Sequence, residues 1–128
     1  MKPLLTILTL VFTVMFSSTS YAEWSEVGES MSGNTFYVDF ERIRKHDGYV
    51  YWWELNDLSK PDEDGDLSYK YYTQGECKLF RYKTLTVSYH KQSMGKGSGS
   101  QKTYENPQWE YPSPNSVVEF VLTKVCSR

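Results

Sequence analysis

The sequence predicts an α+β domain: an antiparallel sheet of about six strands, with a C-terminal helix packed on one face and tied to it by a disulfide. Three observations carry this expectation. Aromatic residues are abundant, with 11 Tyr, 6 Phe and 4 Trp, and such side chains suit pleated strands. Apolar residues alternate with period two through most of the chain, and only the last dozen residues switch to helical spacing. The only two cysteines, Cys77 and Cys126, follow an N-terminal export signal, so they mature where a disulfide forms and persists.

The export signal comes first. Lys2 supplies a positive start, Leu4 to Phe16 is apolar apart from threonines, and Ser20-Tyr21-Ala22 offers small residues at a cleavage site after Ala22. The apolar run is too short for a membrane span, and no later run is long enough. No cysteine closes the signal, so anchoring through an N-terminal lipid-bearing cysteine is not expected. The reading is a leader, residues 1–22, and one exported domain, residues 23–128, free in the periplasm, at the cell surface or secreted.

Within the domain, Trp24 to Val27 reads as a first short strand and Gly28 to Asn34 as a loop. Thr35 to Phe40 alternates, with Phe36, Val38 and Phe40 on one face. Glu41 to Lys45 is a charged helical turn or strand extension, and Asp47-Gly48 is a hairpin turn, since Gly tolerates positive φ. Tyr49 to Leu55 is the strongest strand. Tyr49, Tyr51, Trp53 and Leu55 share one face, while Val50, Trp52 and Glu54 share the other, and bulk on both faces places it centrally. Lys60 to Asp66 is a turn and Leu67 to Gln74 a strand. Gln74-Gly75-Glu76 reads as a tight turn, Cys77 to Lys91 as a long strand bent near Arg81 to Thr84, and Met94 to Ser100 as a flexible linker by composition. Trp109 to Tyr111 is a last short strand among prolines.

Ser113-Pro114 then opens a helix, with Ser as cap and Pro at the first helical position. Val118, Val121, Leu122 and Val125 form its apolar stripe, and Cys126 lies on the same face. A Cys77–Cys126 bond would fasten this helix to the sheet. Pairing between chains is the alternative, but two buried cysteines more often pair within one chain. The uncovered sheet face is aromatic-rich and must be tolerated in solvent, bind a partner or form a homodimer.

The formal net charge of −2 becomes −3 once Lys2 leaves with the leader. Such a balance does not point to nucleic acid. Its distribution is uneven. Glu54 to Asp66 holds six acids and one base, whereas Cys77 to Tyr104 holds six bases and no acid. Solvated surfaces explain both stretches. The functional reading is an anion-attracting hairpin, with Lys78, Arg81, Lys83, Lys91 and Lys96 as the binding residues of a protein or polyanion site.

The chemical motifs fall short. Placing Gly65 at position 6 of a calcium loop puts Lys60 and Tyr71 where carboxylates are required. Gly95-Lys96-Gly97-Ser98-Gly99 lacks Walker spacing and a following helix. His46 and His90 have no ligand-spaced partners, so no metal is expected. No serine lies in Gly-x-Ser-x-Gly, and the paired acids sit in a polar loop that would not raise a pKa for acid catalysis. No enzyme and no cofactor are expected.

The order Trp24…Thr35-Phe36-Tyr37-Val38-Asp39, Tyr49-Val50-Tyr51-Trp52-Trp53-Glu54-Leu55, Cys77-Lys78-Leu79-Phe80-Arg81 and Trp109…Pro112…Val125-Cys126 resembles the surface-adhesin protein E family. The resemblance spans the mature chain. It implies an antiparallel sheet whose concave face carries a disulfide-tied C-terminal helix, with Cys77 and Cys126 matching that bond. It also implies a non-enzymatic bacterial adhesin that takes host proteins such as vitronectin, laminin and plasminogen and can dimerise. No host-binding residue matches by motif. The basic stretch is the physical candidate, because clustered Lys and Arg complement acidic or sulfated matrix segments. A periplasmic assembly protein acting through self-association or an unidentified protein partner is the competing expectation.

Overall fold

The computed structural model describes residues 22–128, so the expected signal, residues 1–22, lies outside the described residues apart from Ala22. Seven strands form one antiparallel sheet: β1 (Ser25–Glu29), β2 (Thr35–Val38), β3 (Arg44–His46), β4 (Tyr49–Asp57), β5 (Ser68–Glu76), β6 (Arg81–His90) and β7 (Gly99–Thr103). Their order is β1-β2-β4-β5-β6-β7, and β3 also pairs with β4. One helix, α1 (Val117–Cys126), follows.

The strongest alternating run becomes the central strand. β4 pairs with β2, β3 and β5, and its register sets two faces. Val50 and Trp52 point toward α1 and meet Val38, Val121, Leu122 and Val125 in the core. Trp52, Leu122 and Val125 are fully buried, and burying each such side chain is worth about 1.5–3 kcal/mol. Asp47 and Gly48 both adopt positive φ, 50° and 82°, which closes the β3–β4 hairpin with the twist its strands need. The charged segment before it contains both expected forms, a 3₁₀ turn at Phe40–Arg42 and then β3. Buried Asp39 caps the turn by accepting the Glu41 N–H at 3.2 Å and pairs with Arg42 at 3.4 Å.

Cys77 and Cys126 form the expected intrachain disulfide, with their Cα atoms 5.6 Å apart. It joins the turn after β5 to the last residue of α1. The sheet and the disulfide-tied helix agree with the expected fold class.

Several local readings are corrected. Gln74-Gly75-Glu76 is not a turn but the end of β5. Gly75 has no positive φ, and a Cβ there would lie 2.7 Å from the Trp52 ring and 3.0 Å from Leu122, so close packing under the helix explains the glycine. The turn is Cys77–Phe80, with Phe80 at φ 50°, and β6 starts only at Arg81. Its irregularity falls opposite Tyr72 and Thr73, where the β5–β6 register slips. Within the expected linker, Ser93–Gly95 forms a 3₁₀ turn and Gly99–Thr103 is strand β7, paired to β6. All five β7 residues are exposed, so no apolar alternation marks the strand.

Trp109 to Tyr111 contributes only a bridge, in which Glu110 exchanges backbone hydrogen bonds with Tyr82 at 2.8 and 2.9 Å. The helix begins three residues later than expected. Asn115 is left-handed at φ 62°, which breaks the turn opened by Ser113-Pro114, and Ser116 is the cap, accepting the Glu119 N–H at 3.1 Å.

Candidate functional site

The sheet face opposite α1 carries a continuous aromatic row. Strand alternation puts Tyr49, Tyr51 and Trp53 on that face, and the β4–β5 register sets Tyr72 opposite Trp53. Trp53 and Tyr72 have ring centroids 4.8 Å apart, Tyr51 and Tyr72 6.0 Å, and Tyr49 stacks on Trp109 at 5.9 Å. Trp109 reaches the face because the Glu110–Tyr82 bridge pins the following residue to β6.

Cations line this row. The Arg81 guanidinium lies 4.4 Å and the Lys83 ammonium 4.3 Å from the Trp109 ring centre, and Arg44 lies over Tyr51 at 5.6 Å. A cation over an aromatic face is attracted by the ring quadrupole. Arg81 is also fixed by Glu76, whose carboxylate accepts from its Nε at 2.6 Å. Burial works against the guanidinium charge, but the Glu76 bond and charge prevail and raise the Arg81 pKa. The Gln74 amide donates to the Tyr51 hydroxyl at 3.1 Å. These half-buried rings thus form a pre-ordered strip with cations at one end. Preorganised aromatics with Arg are the side chains that anchor protein interfaces.

The five basic residues singled out from the sequence do not form one patch. Lys78 is exposed in the Cys77–Phe80 turn, and Arg81 and Lys83 follow at the start of β6. Lys91 and Lys96 lie past the other end of that ten-residue strand, about 30 Å away at the usual rise per residue. Lys91 is engaged there, with Asp66 at 2.9 Å and the Asp64 carbonyl at 2.7 Å, and the Asp66 hydrogen bond raises its pKa. Lys96 is exposed. Spacing along a strand was legible. A run of bases in sequence does not show that a strand of this length separates its ends by most of the domain. Trp109 and Arg44 were missed as site residues, because only pairing brings them to this face.

Asp62, Asp64 and Asp66 come within 4.8 Å of one another. The Asp62 carboxylate already accepts from the Tyr69 hydroxyl and from the backbone of Asp64 and Asp66, and these bonds, Tyr69 foremost, lower its pKa. The arrangement is that of a self-closed acidic turn. His90 accepts or donates with Ser88 through Nε2, and its Nδ1 faces the Gly97 carbonyl oxygen at 3.1 Å. A carbonyl oxygen can only accept, so Nδ1 is the donor in that contact. Both side chains lie on the same open sheet face.

Among the described residues, no helix is long and apolar enough to cross a membrane. The family model described as surface-adhesin protein E matches residues 24–127. No curated protein matches the chain. Among solved structures, crystal form II of Haemophilus influenzae protein E is 12% identical, with 85% of this chain and 91% of that chain covered and a TM-score of 0.65. Protein E from non-typeable Haemophilus influenzae is also 12% identical, with 87% and 79% covered and a TM-score of 0.60. At such identity the structural likeness speaks for the fold.

Proposed function

The chain belongs to the surface-adhesin protein E family, and we propose that it is an exported, non-enzymatic binding module that grips a host matrix or serum protein with its aromatic–cationic face. The observation that carries this reading is Trp109 contacted by both Arg81 and Lys83, at the end of an ordered row of Tyr49, Tyr51, Trp53 and Tyr72 that α1 leaves uncovered. Lys78, free in the adjoining turn, extends the positive end. Arg and Lys here would steer and pair with acidic or sulfated segments, while the rings supply apolar contact area at low entropic cost. Lys91 and Lys96 belong to a separate surface in this reading. The chain acts outside the cytoplasm, after removal of residues 1–22.

Binding of the purified, disulfide-bonded protein to immobilised vitronectin, laminin and heparin across a salt series tests this. Saturable binding that weakens with salt supports it, because exposed charges are screened. No binding at low salt overturns it and favours a periplasmic assembly role through self-association. That second reading has one observation of its own, the open and fully exposed edge strand β7, which could pair with another chain. A concentration-dependent dimer would support it.

A further inference from the structure

The helix side of the sheet carries a second feature, separated from the aromatic row by the sheet itself. Between α1 and strands β1, β2 and β4 lies a cavity of about 280 Å³. An apolar cavity of about 150 Å³ already admits benzene, so this one has room for a small ligand. Its walls are apolar: Val27, Phe36, Val38, Val117, Val118 and Val121. Val27 is the extra residue where the β1–β2 register slips between Glu26 and Gly28, and such bulges re-aim a side chain.

The floor is polar and incompletely satisfied. Glu54, Asn56 and Tyr71 reach it from β4 and β5. Glu54 Oε1 accepts the Trp52 indole N–H at 2.7 Å. Among the described residues no other hydrogen bond and no cation engages that carboxyl group. Asn56 Oδ1 is buried without a hydrogen-bond partner, although the Asn56 amide group itself lies within hydrogen-bonding reach of the Tyr71 hydroxyl. A buried acceptor left unpaired is uncommon in folded proteins and needs an explanation. Here two acceptors from neighbouring same-face positions of β4, one on a carboxyl group, share the end of an apolar cavity. The complementary ligand brings donors, positive charge and an apolar tail. An ammonium group has three donors and no acceptor. A bound ammonium would favour the ionised form of Glu54, whereas a carboxylate or phosphate would bring like charge to it.

We propose that this cavity is a binding site for a small aliphatic primary amine, its ammonium held by Glu54 and Asn56 and its tail lodged among Phe36 and the valines of α1. The site is independent of the aromatic–cationic face, so either assignment can fail alone.

The test titrates n-hexylamine into the purified, disulfide-bonded protein and follows the Trp52 indole N–H by nuclear magnetic resonance, with n-hexanol and n-hexanoate in parallel. The expected result is a saturable shift of that resonance, with a Kd on the order of 1 mM for so small a ligand. Hexanol should bind about tenfold more weakly, and hexanoate should not saturate. Glu54→Gln should weaken hexylamine about tenfold while leaving hexanol unchanged, and Val118→Trp should abolish both by filling the cavity. Equal affinity for hexylamine and hexanol would overturn the proposal, as would the absence of any saturable shift. The wild-type ligand series decides this without either variant.

Discussion

Replacing Gly75 by Ala sets two opposed effects against each other, and the structure says which wins. Gly75 has no positive φ. On backbone grounds alone, Ala would therefore stabilise the protein by about 0.4–1 kcal/mol, through a less flexible unfolded chain. The new Cβ, however, would sit 2.7 Å from Trp52 Cζ3 and 3.0 Å from Leu122 Cδ1. Both neighbours are fully buried, so neither can swing into solvent. Overpacking of this kind costs about 1–3 kcal/mol. The net expectation is a loss of about 1–2 kcal/mol, or a fall in Tm of about 5–10 °C for a domain near 100 residues. Urea unfolding followed by far-ultraviolet circular dichroism measures it, with an unchanged m-value as the check on two-state behaviour. Trp52→Phe removes the ring atoms that clash, so the double variant should lose less than the sum of the singles, by at least about 0.5 kcal/mol. A Gly75→Ala protein as stable as wild type would refute the close-packing argument and return Gly75 to a backbone role.

The disulfide closes a loop of 49 residues, so Cys77→Ala/Cys126→Ala should lose about 4 kcal/mol, read as a lower urea midpoint. Ser116→Ala removes the cap that holds the Glu119 N–H and should cost about 1 kcal/mol, seen as a small drop in Tm with the fold retained. Burial raises the Glu54 carboxyl above its ordinary 4.5. Stability from the neutral form is therefore fully present below pH 4.5 and is lost as pH rises through the folded pKa. Glu54→Gln should not show that loss, so its Tm should exceed the wild-type value at neutral pH and the gap should close in acid. A constant gap across pH would sink the assignment.

Much of the architecture was legible because alternation carries it. Val50, Trp52 and Glu54 share parity in the sequence and share the helix side of the sheet, and Val121, Leu122 and Val125 recur at helical spacing and are buried. The misread places are those where tertiary packing, not local pattern, chose the residue. Gly75 looks like a turn glycine and is a contact glycine. The Gly99–Thr103 strand has no apolar face, so its pairing to β6 leaves no periodic mark. The site was half legible. Charge counting found Arg81 and Lys83, but grouped them with Lys91 and Lys96, because a run in sequence says nothing of distance along a strand. Trp109 and Arg44 join the face only through strand pairing and the Glu110 bridge.

In the proposed function, binding resides at the Trp109 end of the free face and not in the basic stretch as a whole. Its most direct measurement compares salt-dependent binding to immobilised heparin and vitronectin for two charge-reversal pairs, Lys78→Glu/Lys83→Glu and Lys91→Glu/Lys96→Glu. Arg81 is spared because it is tied to Glu76. The first pair should lose about tenfold or more in affinity and show a flatter salt dependence, with the second pair close to wild type. Equal losses from both pairs, or a loss only from the second, would contradict it.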